Sequence, residues 1–426
     1  MVLGNSTNIN GVTVNGTSNT GTGVIINEGA NVINASVNGN SNGTGVSITG
    51  AVNITGSTVT GNASGNGNGV NISGNITDGV ISGSATGNGA GVDISGDSTL
   101  INTTVNGNGT DGSGVNISGN LTNSGNSTVT GNASGNGTGV DINGTVTGDI
   151  TGNASGNGTG VDINGTVTGG DITGNASGNG NGVNISGNIT DGVISGSATG
   201  NGAGVDISGD STLINTTVNG NGTDGSGVNI SGNLTNSGNS TVTGNASGNG
   251  NGVNISGNIT DGVISGSATG NGAGVDISGD STLINTTVNG NGTDGSGVNI
   301  SGNLSNSGNS TVTGNASGNG TGVDINGTVT GDITGNASGN GNGVNISGNI
   351  TDGVISGSAT GNGAGVDISG DSTLINTTVN GNGTDGSGVN ISGNLSNSGN
   401  STVTGNASGN GTGVDINGTV TGGYHG

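Results

Sequence analysis

The sequence predicts an all-β fold, a parallel β-helix solenoid of about 18 coils of 21–25 residues. A Gly-Val-x-Ile tetrad recurs along the chain, aliphatic residues alternate around each copy with a period of two, and the composition cannot build a conventional core. Of 426 residues, 106 are Gly, apolar residues make up 25 %, Pro and Cys are absent and Tyr424 is the single aromatic. Packing must then come from Val, Ile, Leu and Ala. Helix is disfavoured, because Gly, Asn, Ser, Thr and Val dominate every window.

The tetrad occurs eighteen times, from Gly23 to Gly413, at intervals of 21 to 25 residues. Three coils make a 70-residue block, found at 69–138, 182–251, 252–321 and 343–412. The second and third of these blocks differ at two places only, Thr235 against Ser305 and Asn251 against Thr321. Shorter coils begin at Gly139, Gly160 and Gly322. Near-identity at this scale reads as duplication by whole coils, which a stack tolerates because each coil touches only its neighbours. The expected organisation is an N-terminal partial coil at 1–22, a repeat domain at 23–422 and a disordered tail at 423–426, where Tyr424 and His425 lie.

Within a coil, Val70 and Ile72 should point one way and Asn71 the other, as in a half-buried strand. Further aliphatics follow at Ile76 and near Val80-Ile81, with a small residue at Ala85; in another coil type the same places are Val140, Ile142, Val146, Ile150 and Ala154. Gly and Asn between them tolerate the positive φ that closes a polygon of short strands. Stacked coils would pair their backbones about 4.8 Å apart and align the aliphatics into interior ladders. Coils of this length point to a right-handed solenoid, since a left-handed one would keep a strict hexapeptide beat.

The variable tetrad position then faces outward and forms a surface ladder, which begins Asn71, Asp93, Asn116, Asp141, Asp162, Asn184, Asp206. Nearly every Asp has Asn above and below, so that an amide separates carboxylates that would otherwise repel. Asp141 and Asp162 break the rule and are the one weak candidate for a metal site. A disordered low-complexity spacer is the competing expectation for such a composition. The alternation argues against it.

Chemistry is sparse. No catalytic residue, cofactor site or enzymatic activity is expected. The Gly89–Ile94 stretch is similar to a calcium-binding nonapeptide, but its bulky residue falls one place early and no nine-residue tandem follows. Gly-x-Gly-x-x-Gly strings such as Gly107–Gly112 come without a helix or a Lys and carry no phosphate site. With no Lys or Arg and a net charge of −24, nucleic acid is excluded as a partner. The longest aliphatic run, Val24-Ile25-Ile26, is too short to insert in a membrane. Thr-x-Thr pairs, among them Thr58/Thr60, Thr128/Thr130, Thr145/Thr147 and Thr166/Thr168, raise an ice-binding alternative, although they occupy only some coils.

Coils of the type Gly137–Gly148, Gly-Thr-Gly-Val-Asp-Ile-Asn-Gly-Thr-Val-Thr-Gly, with Asn-Ala-Ser-Gly-Asn-Gly spacers, resemble the repeat regions of filamentous-haemagglutinin-like adhesins and autotransporter passenger domains over residues 11–422. The resemblance implies a right-handed β-helix on a bacterial cell surface, acting as an adhesin or as its stalk, with a glycan or protein receptor as partner. It also makes the Asn-x-Ser/Thr triplets candidates for sugars. Two features depart from the family: Lys and Arg are wholly absent, and the sequence opens without a secretion signal, so export would depend on segments outside it. Open strand edges at the ends of such a block would favour end-to-end self-association.

Overall fold

A computed structural model describes residues 1–422; the tail expected at 423–426, with Tyr424 and His425, lies outside the described residues. The chain is an all-β parallel β-solenoid of about 18 turns, with no helix among the described residues. It divides into two compact units, Met1–Asp206 and Ile207–Gly426.

In the first unit a turn has three short strands, for example Val92–Ile94, Ser98–Ile101 and Thr104–Gly109. Each strand pairs in parallel with its counterparts in neighbouring turns: Val92, Asp93 and Ile94 face Val70, Asn71 and Ile72 on one side and Val115, Asn116 and Ile117 on the other. Residues 1–22 carry strands Val2–Leu3, Asn8–Asn10 and Thr13–Ser18, each in register with the next turn. The second unit repeats the plan, as in Val298–Ile300, Leu304–Ser307 and Thr311–Ala316.

The inward positions are those the period-two pattern selects. Val140, Ile142, Val146 and Ile150 are at most 1 % exposed and Ala154 is 3 % exposed. At the expected Val80-Ile81 position it is Ile81 that is buried, while Val80 is 38 % exposed. The phase is set one corner earlier by Asp78, whose φ of 56° turns the chain through the left-handed region. Asn102 (φ 47°) holds the same corner in the next turn and Gly125 (φ 67°) in the one after. Asn, Asp and Gly are the residues that enter this region at least cost.

The tetrad glycine is required by proximity. A Cβ on Gly91 would meet the backbone of Asn108 and Gly107 across the turn, and one on Gly83 would meet the carbonyl of Gly91 and the Val92 side chain. The two sides of the turn therefore close on glycine against glycine.

The corner between the second and third strands holds a polar element inside the core. Thr103 is fully buried, and its hydroxyl donates to the carbonyl oxygens of Ile101 at 2.9 Å and Ile76 at 3.3 Å. Its backbone N–H donates to Ser127 Oγ at 3.0 Å, and Ser127 donates in turn to Leu100 O at 3.1 Å. Ser57 fills the same place two turns earlier, accepting from Ala35 N at 3.0 Å and donating to Val32 O at 2.9 Å. These hydroxyls satisfy carbonyls that the bend takes out of the ladder.

Candidate functional site

Three outward features are candidates: the tetrad ladder, the threonine pairs and a groove bordered by asparagines. The ladder residues Asn71, Asp93, Asn116, Asp141, Asp162 and Asn184 stack in direct register, each half-buried. Asn116 Nδ2 donates to Asp93 Oδ1 at 2.7 Å, so an amide stands between Asp93 and Asp141 and bonds to the first of them. Asn299 and Asn390 do the same for Asp276 and Asp367, also at 2.7 Å.

A second asparagine, one residue before the tetrad glycine, was not evident from the sequence pattern alone. Asn68 Nδ2 donates to Asn71 Oδ1 at 2.8 Å and to Asp93 Oδ2 at 3.2 Å, while its Oδ1 accepts from Ala90 N at 2.8 Å. Asn181 repeats this with Asn184 at 2.7 Å and Asp206 at 3.4 Å. One side chain thus ties two turns through three hydrogen bonds. The signal for it was the Asn251/Thr321 difference between otherwise matching blocks. Asn251 precedes the Asn254 turn and reaches on to Asp276 at 3.4 Å, whereas Thr321 precedes the Asp324 turn and accepts from Asn345 at 3.3 Å.

Asp141 pairs directly with Asp162 with no amide between them. Burial first, and then the neighbouring Asp162 charge, push the Asp141 carboxyl above the usual carboxylate range, against a lowering hydrogen bond from Asn143 Nδ2 at 3.1 Å. Burial also raises Asp162, opposed by Asn164, and raises Asp206. Among the described residues no three His, Asp or Glu side chains group closely enough to share a cation. The structure brings Asp141 and Asp162 together and places no third acid beside them.

The threonine pairs fall on two different sides of the turn. Thr128 and Thr130 lie on the third strand, between Thr104/Asn106 and the following turn's Thr151, whereas Thr145/Thr147 and Thr166/Thr168 lie on the second strand and stack on one another. Thr58/Thr60 belong with the former, beside Ser36/Asn38 and Val80/Ser82. Identical motifs diverge because a 21-residue coil reaches its Thr-Val-Thr one strand earlier than a 25-residue coil does.

The groove runs along the first unit and has a volume of about 560 Å³. One border is a column of outward asparagines at the end of the third strand, Asn108, Asn132, Asn153 and Asn175, in register with Ser84 before them and Ser197 after. Each amide donates to the one in the preceding turn: Asn132 to Asn108 at 3.0 Å, Asn153 to Asn132 at 2.9 Å, Asn175 to Asn153 at 2.9 Å. Ser134, Ser155 and Ser177 line the groove beside them, above Ala133, Ala154 and Ala176. The second unit has a like groove of about 330 Å³, bordered by Asn291, Asn315 and Asn336 with the same donor direction at 3.1 and 3.0 Å.

No helix among the described residues is long and apolar enough to cross a membrane. Set against known protein families and curated protein sequences, the chain matches none.

Proposed function

We propose that this chain is an extracellular structural and adhesive repeat domain of a bacterial surface protein, a non-enzymatic stalk or display scaffold for attachment to cells or surfaces. The observation that carries this reading is the turn-by-turn repetition of outward chemistry: the same Asn, Asp, Ser and Thr columns are presented by one turn after another. Contacts too weak to hold singly gain strength when a surface repeats them. The resemblance of the coils to adhesin repeats supports the same reading. So does the absence of Lys and Arg, which leaves no site for trypsin-like proteases outside a cell. The partner is a glycan or protein receptor; a chain of charge −24 does not take up nucleic acid.

The test is adhesion. Beads coated with the purified chain should attach to cultured cells or to glycan-coated surfaces above albumin-coated beads, and an antibody to the chain should label intact producing cells. Attachment at the albumin level, or labelling only after lysis, would overturn the proposal.

A further inference from the structure

We infer that the asparagine-bordered groove of each unit binds a linear, uncharged polysaccharide lying along the stack. The inference deepens the adhesive reading and rests on it only for where the glycan is met.

Both grooves occur where a short coil has been added to the block pattern. The 21-residue coil at Gly139 contributes Asn153, and the one at Gly322 contributes Asn336. Within a block the column holds two asparagines before a serine returns, as in Asn221 and Asn245 followed by Ser267. The short coils extend the run to four in the first unit and three in the second. The first groove spans six turns, roughly 24 Å at about 4.8 Å per step.

The ladder leaves a defined pattern of valences. An amide has two N–H donors, and the axial bond to the preceding turn uses one. Asn132, Asn153 and Asn175 each keep one amide N–H beyond the axial bond, beside the side chains of Ser134, Ser155 and Ser177, at a constant step and in one direction. A pyranose residue in an extended 1,4-linked chain advances by nearly the same step and carries hydroxyls that both donate and accept. Ala133, Ala154 and Ala176 lie beneath at 3 % exposure and close the groove floor, so recognition falls to the polar rim.

Competing polymers fit less well. An extended peptide rises about 3.3 Å per residue and falls out of step with the ladder. It also gains affinity by adding to an open strand edge, whereas the strands beside the groove are paired on both sides. Sulfated or uronic chains meet a protein with 24 acids and no Lys or Arg. No acidic residue lines either groove, although Asp111 and Asp294 directly follow the lining threonines Thr110 and Thr293.

The experiment is a titration of the whole chain, ¹⁵N-labelled, with cellohexaose, maltohexaose and an uncharged hexapeptide, followed by side-chain amide shifts and calorimetry. A neutral hexasaccharide should shift the groove amides and bind more tightly than its disaccharide. Replacing Asn132, Asn153, Asn175, Asn315 and Asn336 by Ala should weaken binding by about tenfold or more, while Thr147→Ala with Thr168→Ala leaves it unchanged. Should the alanine variant lose its cooperative melt, Ser155→Glu with Ser338→Glu places charge on the groove walls at exposed positions and should cause the same loss. No shift with either hexasaccharide, a preference for the peptide, or binding indifferent to these substitutions would overturn the inference. Beads that adhere although neither glycan titrates would remove the groove and leave the adhesive reading; a hexasaccharide that titrates while beads do not adhere would do the reverse.

Discussion

Asp141 stands directly below Asp162 in the tetrad ladder, carboxylate over carboxylate, where the other ladder acids have an amide as neighbour. Like charges directly opposite across paired strands are destabilising. Asp162→Asn restores the alternation and should stabilise the fold by up to about 1 kcal/mol, limited by the exposure of both groups. Urea melts of the variant and parent at neutral pH measure this, and the difference should shrink in acid. An unchanged or lowered midpoint at neutral pH would contradict it.

The ladder also sets a pH dependence. Burial is the leading cause that holds Asp141, Asp162, Asp206, Asp276, Asp324 and Asp367 above the usual carboxylate range. Between the unfolded and the raised folded values, the folded chain binds more protons than the unfolded one. Their contribution is therefore fully present below the unfolded value and is lost as pH rises through the raised values. Thermal melts should move upward from neutral to mildly acidic buffer, and replacing these six by Asn should flatten the trend.

Glycine against glycine at the turn's closest approach allows no side chain. Gly83→Ala would drive a Cβ into the Gly91 carbonyl and Val92, with backbone on the far side unable to yield. The expected cost is about 3 kcal/mol or more. Gly4→Ala, with nothing within 4 Å, is the control and should melt like the parent.

Thr103→Val keeps the shape of a fully buried side chain and deletes the hydroxyl that serves Ile76 O and Ile101 O. Two carbonyls lose a donor in the interior. A loss of about 1–3 kcal/mol is expected in a denaturant titration, and Thr104→Val one residue on, half-exposed on the outer face, should cost far less.

That contrast also marks how much of the molecule could be read from the residues. Val140, Ile142, Val146, Ile150 and Ala154 announce themselves through period two, and all five are inside. Thr103 and Thr104 are the same residue type side by side, and only the left-handed corner at Asn102 decides which one turns inward. The same phase shift separates Ile81 from Val80, and a difference in coil length sends Thr128/Thr130 and Thr145/Thr147 to different strands. Corner conformation carries no periodic signal, so what lies beyond each corner becomes legible only in three dimensions. The Asp/Asn alternation was readable, whereas Asn68 was hidden because Asn is abundant and its role depends on the next turn's Asp93.

The bracing asparagine makes the repeat punctuated. Its identity is matched to the tetrads that follow, so the boundary at which copies join is not arbitrary. Excising residues 251–320 would rejoin Gly250 to Thr321 ahead of Asp324, a junction the chain already uses. Excising 252–321, one residue later, would leave Asn251 facing Asp324 and remove its partner Asn254. Any loss of one block that keeps Thr321 ahead of Asp324 leaves a junction the chain already uses, so the turn count can change in whole, correctly punctuated steps.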